Sequence, residues 1–172
     1  MTWVFDATPL IYLAKSERLG VIETVSDPRL VPEAVCREVV TEEIEAGYDD
    51  VRRIERAAED GRLDVVEVDL DSSPVATRLE RHSGLSNADL AVLACADARD
   101  GVAVMDEAAG RSAAAVEGAE TRGTAYVVLS AVKRGKLSAE AGREAIDAMI
   151  DHGWYVALDL YAKIIRKLES FE

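Results

Sequence analysis

Short apolar runs and amphipathic helical patterns alternate along almost the whole chain. The runs are rich in Val and other β-prone residues, which is typical of strands buried in a parallel sheet. They predict strands at residues 3–5, 29–31, 63–68 and 102–105, and a short extended piece near residue 119. The patterns between them predict a helix that begins at Pro9, followed by helices at residues 18–26, 32–46, 48–60, 74–82, 85–100, 108–116, 124–134, 138–151 and 158–170.

This alternation predicts an α/β fold in which a central, mostly parallel sheet is covered by helices. A chain of 172 residues with 49% hydrophobic content suits a single domain over residues 1–172. No apolar run approaches the roughly 20 residues that cross a bilayer, and the first residues lack the pattern of a secretion signal. We therefore expect a cytoplasmic protein that does not contact membranes.

The first strand leads directly into an acid, Asp6. After it, Thr8 predicts a helix N-cap and Pro9 the first helical residue, where the missing N–H of proline costs nothing. Asp6 is therefore expected in the turn between the carboxyl end of a strand and a helix N-terminus. In open α/β sheets, ligands bind at that edge.

Three further acids follow a strand or lie in apolar surroundings. Asp106 follows the strand at residues 102–105, and Glu38 lies at the margin of the apolar face of its helix. Asp89 comes three residues after Ser86, which is the spacing of a capping box. Taken singly, each of these acids equally fits a structural role as a cap, a turn residue or a solvated charge. Weaker candidates are Glu42, Glu43, Asp97 and Glu107.

The order strand–Asp6, helix–Glu38, helix–Asp89, strand–Asp106 resembles the PIN-domain nucleases, and more closely the archaeal and bacterial branch related to VapC toxins. The resemblance rests on the segments VFDATPLIYLAK, VPEAVCREVV, LSNADLAVLACA and VAVMDEAAGRSA, and more loosely on GTAYVVLSAVKRGKL. It covers nearly the full chain. It implies a PIN-like three-layer α/β/α fold and a metal-dependent endoribonuclease, with an antitoxin as a possible partner.

Carried over position by position, the resemblance assigns residues to the site. The metal-binding and catalytic acids of the family fall on Asp6, Glu38, Asp89 and Asp106. Thr8 matches a hydroxyl position near the first acid, and Arg111 matches a basic position beyond the last, so both are substrate-contact candidates. Because Glu107 follows Asp106, the sequence leaves open which of these two acids is the fourth ligand.

Two positions depart from the pattern of this branch. Ala7 stands where the branch usually has a hydroxyl residue, and Met105 stands where many PIN toxins have a threonine before the final acid. These departures concern the surroundings of the site, because all four acidic positions are filled.

Four clustered carboxylates suit one chemistry independently of the family. Such carboxylates cannot all stay ionised without a cation, and oxygen-only ligands select Mg²⁺ or Mn²⁺ over zinc. One ion, or two about 3.5–4 Å apart, can activate a water and stabilise the leaving oxygen of a phosphodiester. His82 and His152 lie outside the motifs, which disfavours a histidine-based ribonuclease or a zinc hydrolase.

The net charge of −13, from 33 acids and 20 bases, indicates a halophilic source. At about 1 M salt the Debye length falls to roughly 3 Å, so like charges no longer repel at a distance. The alternative is an ordinary acidic protein. The apolar C-terminal segments at residues 126–129, 154–156, 160–161 and 164–165 exceed what a small core needs, and with the resemblance they predict a homodimer.

Other function classes fit less well. A catalytically silent PIN module that acts as a binding or scaffold protein is the main alternative. A haloacid-dehalogenase-like phosphatase would need its second Asp where the chain has Thr8. Neither GxGxxG nor GxxxxGK[ST] occurs, so nucleotide binding through a glycine-rich loop is disfavoured.

Overall fold

A computed structural model of the protein describes residues 1–41, 47–81 and 84–172. Within these ranges, five strands form one all-parallel sheet in the order β3-β2-β1-β4-β5. The strands are β1 (Trp3–Phe5), β2 (Arg29–Pro32), β3 (Asp64–Val66), β4 (Val102–Val104) and β5 (Glu120–Arg122). In the register of the central pair, Phe5 of β1 lies opposite Val104 of β4. The carboxyl ends of these two strands therefore meet at one edge of the sheet.

Helices connect the strands and flank the sheet. They are α1 (Ala7–Lys15), α2 (Glu33–Thr41), α3 (Tyr48–Glu59), α4 (Pro74–Leu79), α5 (Asn87–Ala98), α6 (Ala108–Val116), α7 (Thr124–Lys133), α8 (Ala139–Asp151) and α9 (Leu158–Glu169), with a 3-10 helix at Leu19–Thr24. This arrangement confirms the predicted three-layer α/β/α fold. Among the described residues, no helix combines the length and the hydrophobicity that a membrane crossing requires.

Burial explains why the central elements are so apolar. Every residue of β1 and β4 is buried, and residues 88–96 of α5 are buried on all sides. Because α5 contacts β1, β2 and β4, it needs apolar side chains around its whole circumference rather than along one stripe.

Several predicted boundaries shift by a few residues. Helix α1 begins at Ala7, so Asp6 occupies the N-cap position that was predicted for Thr8, and Pro9 is the third helical residue. Since the first four N–H groups of a helix have no intrahelical partner, proline is tolerated there as well as at the first position. Pro32, predicted to open a helix, ends β2 instead, and α2 starts at Glu33.

Other predicted elements are shorter in the structure. The strand predicted at residues 63–68 is limited to Asp64–Val66, and the helix predicted at residues 18–26 is the 3-10 turn at Leu19–Thr24. The predictions at residues 42–46 and 82–83, which include Glu42, Glu43 and His82, lie outside the described residues.

Helix α8 lies very close to α7 and α9 at Gly142. A Cβ atom there would be 2.6 Å from Cγ2 of Val132 and 3.1 Å from Cδ2 of Leu168. The missing side chain therefore permits the close packing of the three C-terminal helices.

Candidate active site

The edge where β1 and β4 end carries the first acid of the site. The backbone N–H of Asp6 donates to the carbonyl of Val104 at 3.0 Å, which ties the end of β1 to β4. Since α1 begins at the next residue, strand and helix together fix the Asp6 backbone.

A small cavity of about 280 Å³ at this edge gathers four carboxylate side chains. Its lining residues are Asp6, Ala7, Thr8, Glu38, Gly84, Ser86, Asp89 and Glu107. Three of the four predicted acids thus lie around one space, together with the predicted hydroxyl residue Thr8. The fourth acid there is Glu107 rather than Asp106.

Asp6 is the most deeply buried acid of the cavity, with only 3% of its surface exposed. The pKa of Asp6 is raised from 3.8 to about 8. Desolvation by burial is the largest cause, and the negative charges of Asp89, Glu38 and Glu107 add to it, against an opposing effect of the Ala7 N–H. Its Oδ1 atom has no hydrogen-bond partner among the described residues. Such a buried, unpaired oxygen amid other carboxylates is costly unless a proton or a cation neutralises it.

Asp89 lines the cavity and also makes hydrogen bonds that cap a helix. It is 7% exposed, its Oδ2 accepts from the Ser86 N–H at 2.9 Å, and Ser86 Oγ accepts from the Asp89 N–H at 3.1 Å. The capping box predicted from the spacing of these two residues is therefore present. It fixes the carboxylate at the start of α5, so the capping and site interpretations are compatible.

Two glutamates complete the acidic lining of the cavity: Glu38 in α2, and Glu107, which directly precedes α6. Glu38 is half-buried, as expected for the margin of an apolar helix face, and Glu107 is exposed. Both contribute charge that disfavours ionisation of Asp6.

Asp106 points away from this cavity and holds the start of α7. Its Oδ1 accepts from the Thr124 N–H at 2.8 Å, and its Oδ2 accepts from the Thr124 hydroxyl at 2.6 Å. The indole N–H of Trp154 also donates to Oδ2, at 3.3 Å. Since Thr124 is completely buried, these bonds anchor a helix N-terminus to the end of β4.

Arg111 lies in α6 one turn after Glu107, and its side chain is exposed. It lines a second, larger groove together with Asp106, whereas Thr8 lines the acidic cavity. The two predicted substrate-contact residues therefore face different spaces.

As arranged, no three His, Cys, Asp or Glu side chains of the described ranges are close enough together to hold a metal ion. The acids nevertheless converge on one cavity, and their charges act on Asp6. The donor set is oxygen-only and includes Asp6, which has a buried, unpaired carboxylate oxygen, and this fits a hard divalent cation. Small movements of the longer side chains would be needed to close a ligand set.

Sequence reasoning undervalued Glu107 and did not find the role of Thr124 or Trp154. The sequence left open whether Asp106 or Glu107 is the fourth acid of the site. Which of the two side chains faces the cavity depends on the turn between β4 and α6. Trp154 is 48 residues from Asp106, so no local pattern could have connected them.

A family model described as a PIN domain matches residues 2–170. The chain therefore belongs to the PIN-domain family. PIN domains are generally nucleases, usually with divalent metal ions. No curated protein matches the chain.

Proposed function

We propose that the protein is a Mg²⁺- or Mn²⁺-dependent endoribonuclease that hydrolyses RNA phosphodiesters at the acidic cavity. The observation that carries the proposal is the buried Asp6 carboxylate, with its unpaired oxygen and three further acids around it. Membership of the PIN-domain family supports the nuclease chemistry.

In this proposal, each acid has a role that follows from its position. Asp6 and Asp89 are buried and fixed by the starts of α1 and α5, so they define where a cation would be held. Glu38 and Glu107 lie at the mouth, where they would complete the ligand set and orient an attacking water. When bound, a divalent cation supplies Lewis-acid chemistry at the phosphate.

We assign the fourth cavity position to Glu107 and a positioning role to Asp106. Asp106 already accepts three hydrogen bonds from Thr124 and Trp154, which hold its carboxylate away from the cavity. The alternative, with Asp106 as the ligand, remains a prediction of the sequence resemblance.

A direct test is the cleavage of a mixed RNA pool at high salt with Mg²⁺, with Mn²⁺ or with EDTA. Cleavage by the wild-type protein only in the presence of a divalent ion is expected. If folded, metal-loaded protein cleaves none of the pool, the catalytically silent PIN module becomes the better interpretation.

Divalent metal is expected to stabilise the protein beyond its effect on ionic strength. A cation that binds only the folded protein stabilises it by about 2.7 kcal/mol at a concentration of 100 times Kd, which is a shift of roughly 5–10 °C in Tm for a chain of this size. Thermal unfolding in Mg²⁺ or Mn²⁺ is compared with unfolding in K⁺ at equal ionic strength. Asp6→Asn should lose the excess shift, and Asp97→Asn, on the exposed side of α5, should keep it. Equal stabilisation by Mg²⁺ and K⁺ would contradict the metal site.

The biological setting belongs to the same proposal. The resemblance to VapC-like proteins supports a cytoplasmic toxin whose partner is an antitoxin, and the acidic composition supports a halophilic source. A neighbouring gene for a small DNA-binding protein with a helical tail would favour the toxin over a processing nuclease.

We also propose a homodimer. Part of the predicted apolar excess is buried in the core, for example Val127 and Val128, whereas Tyr155 within it is 86% exposed. Leu158, which lies outside the predicted segments at the start of α9, is also 84% exposed. Sedimentation at tens of micromolar in high salt is expected to detect a dimer that Leu158→Glu weakens. The matched variant Val116→Glu, at a residue with 83% exposure on α6, should not. A wild-type protein that sediments as a monomer under these conditions would contradict the dimer.

A further inference from the structure

The chain between α8 and α9 reaches back to the edge of the sheet where the acidic cavity lies. Helix α8 ends at Asp151, and the indole N–H of Trp154, three residues later, donates to Oδ2 of Asp106 at 3.3 Å. Asp106 is the chain neighbour of Glu107, which lines the cavity. The C-terminal part of the chain therefore contacts the turn that carries one of the four cavity acids.

A glycine turn at the end of α8 places Trp154. Gly153 has a φ of +102°, a left-handed conformation that glycine adopts without steric cost. The N–H of Gly153 donates to the carbonyl of Ile150 at 2.9 Å. The N–H of Trp154 donates to the carbonyl of Met149, also at 2.9 Å. These two bonds form a Schellman motif, so the end of α8 determines where the backbone of Trp154 lies.

Core packing also restrains the side chain of Trp154. It is 6% exposed and belongs to the same hydrophobic core as Met149 and Ile164. An indole N–H in such surroundings needs an acceptor, because its burial without a hydrogen bond would cost free energy. The acceptor is Asp106, so the packing of the ring and the orientation of this carboxylate depend on each other.

The turn between β4 and α6 is short, so a restraint on Asp106 also acts on Glu107. Three residues separate the strand from the helix. The N–H of Met105 donates to the carbonyl of Arg122 at 2.9 Å, and the carbonyl of Glu107 accepts from α6 at 3.1 Å. Asp106 lies between these two bonded residues, and consecutive Cα atoms are about 3.8 Å apart. A change in the position of Asp106 is therefore expected to displace Glu107.

We propose that Trp154 is a positioning residue of the active site. Its N–H holds the Asp106 carboxylate on the side of Thr124, and this sets the turn so that Glu107 is presented to the cavity. The inference rests on the proposed function and extends it, because it makes the C-terminal helices a part of the metal site. Trp154 acts through the turn and is not itself proposed to contact metal or RNA.

The chain offers a matched pair of tryptophans for the test. Trp3 and Trp154 are the two tryptophans of the sequence and are 4% and 6% exposed. The N–H of Trp3 donates to Ser26 Oγ, also at 3.3 Å. Trp3 begins β1, whereas Asp6 and the cavity follow the other end of that strand. Trp154→Phe and Trp3→Phe each remove one N–H from one nearly buried ring, and only the first change lies at the site.

Binding of Mn²⁺ is measured by isothermal titration calorimetry without RNA, on variants whose folded state is checked by urea unfolding. Trp154→Phe should raise the Kd for Mn²⁺ about tenfold, the lower end of the loss of about 10- to 100-fold that is typical of groups that orient metal ligands. Trp3→Phe should bind Mn²⁺ like the wild-type protein. If Trp154→Phe does not fold, Thr124→Val removes the other side-chain donor to the same Asp106 oxygen and should raise the Kd similarly.

A double-mutant cycle with Glu107→Ala tests whether Trp154 acts through the turn. Glu107→Ala should itself weaken Mn²⁺ binding. In that background, Trp154→Phe should change the Kd less than about twofold, because the side chain that it positions is already absent. An undiminished effect of Trp154→Phe in the Glu107→Ala background would overturn the positioning role.

The outcomes separate this inference from the proposed function. Equal Mn²⁺ affinity of Trp154→Phe and the wild-type protein would overturn the positioning role and leave the nuclease untouched. Tighter binding would also overturn it, because Asp106 would then enter the cavity as a ligand. Weaker binding by Trp154→Phe, when the wild-type protein binds Mn²⁺ but cleaves no RNA, would support the positioning role and refute the nuclease. A wild-type protein that binds no Mn²⁺ would refute both.

Discussion

Replacement of Asp6 by asparagine is expected to lower metal-dependent RNA cleavage at least about a hundredfold, which corresponds to roughly 3 kcal/mol of transition-state stabilisation. Asp6 is fixed between β1 and α1 and is almost fully buried, so no neighbouring side chain can take its place. The substitution conserves size and removes one charge. Initial rates at saturating Mg²⁺ or Mn²⁺ measure the effect, with Asp97→Asn as the matched surface control.

The same variant should be more stable than the wild-type protein when metal is absent. Burial and the neighbouring carboxylates raise the pKa of Asp6 from 3.8 to about 8. The stabilising contribution of its proton is therefore complete below pH 3.8 and is lost as the pH rises through 8. The difference in unfolding free energy between Asp6→Asn and the wild-type protein should therefore grow from pH 3.8 to pH 8, by at most about 1.4 kcal/mol per pH unit. Urea unfolding in EDTA at several pH values measures it. A variant that is inactive because it unfolds, or one that keeps near-full activity, would make Asp6 a structural cap.

The neighbouring acids Asp106 and Glu107 are expected to differ sharply when each is replaced by alanine. Asp106→Ala removes the acceptor for the buried Thr124 hydroxyl, the Thr124 N–H and the Trp154 N–H. Unfolding free energy should fall by about 3 kcal/mol, since bonds to a charged group are each worth roughly 1.5–3 kcal/mol. Tm should then fall by about 6–12 °C.

Glu107→Ala should change stability by no more than about 0.5 kcal/mol, because the residue is exposed. It should nevertheless lower cleavage at least about tenfold if Glu107 completes the ligand set, a loss of roughly 1.4 kcal/mol. Calorimetry and initial rates on the two variants give both quantities. A stable, inactive Asp106→Ala protein beside a fully active Glu107→Ala protein would return the ligand role to Asp106.

Local patterns predicted the parts of this protein that local forces determine. A short buried run followed by an acid and an early proline was enough to place Asp6 at the end of β1, and the spacing of Ser86 and Asp89 was enough to predict the capping box. The helix start was two residues off because proline is compatible with several positions of the first turn.

Features that depend on tertiary packing were not predictable in this way. Whether Asp106 or Glu107 faces the cavity is determined by one turn of backbone and by a bond to Trp154, which lies far along the chain. The second, larger groove that Arg111 and Asp106 line likewise depends on how α9 packs, since Lys163 and Lys167 of α9 also line it but look like ordinary solvated charges in the sequence.

The strand order has a consequence for synthesis of the protein. β1 is made first, yet in the sheet it lies between β2 and β4, and β4 ends about a hundred residues later. The acids around the cavity come from residues 6, 38, 89 and 107, so a growing chain cannot assemble them until β4 has been made and has paired with β1. Pairing of strands across such a long sequence separation is intrinsically slow. The acidic cavity therefore cannot form before more than half of the chain has been made, whatever chemistry it performs.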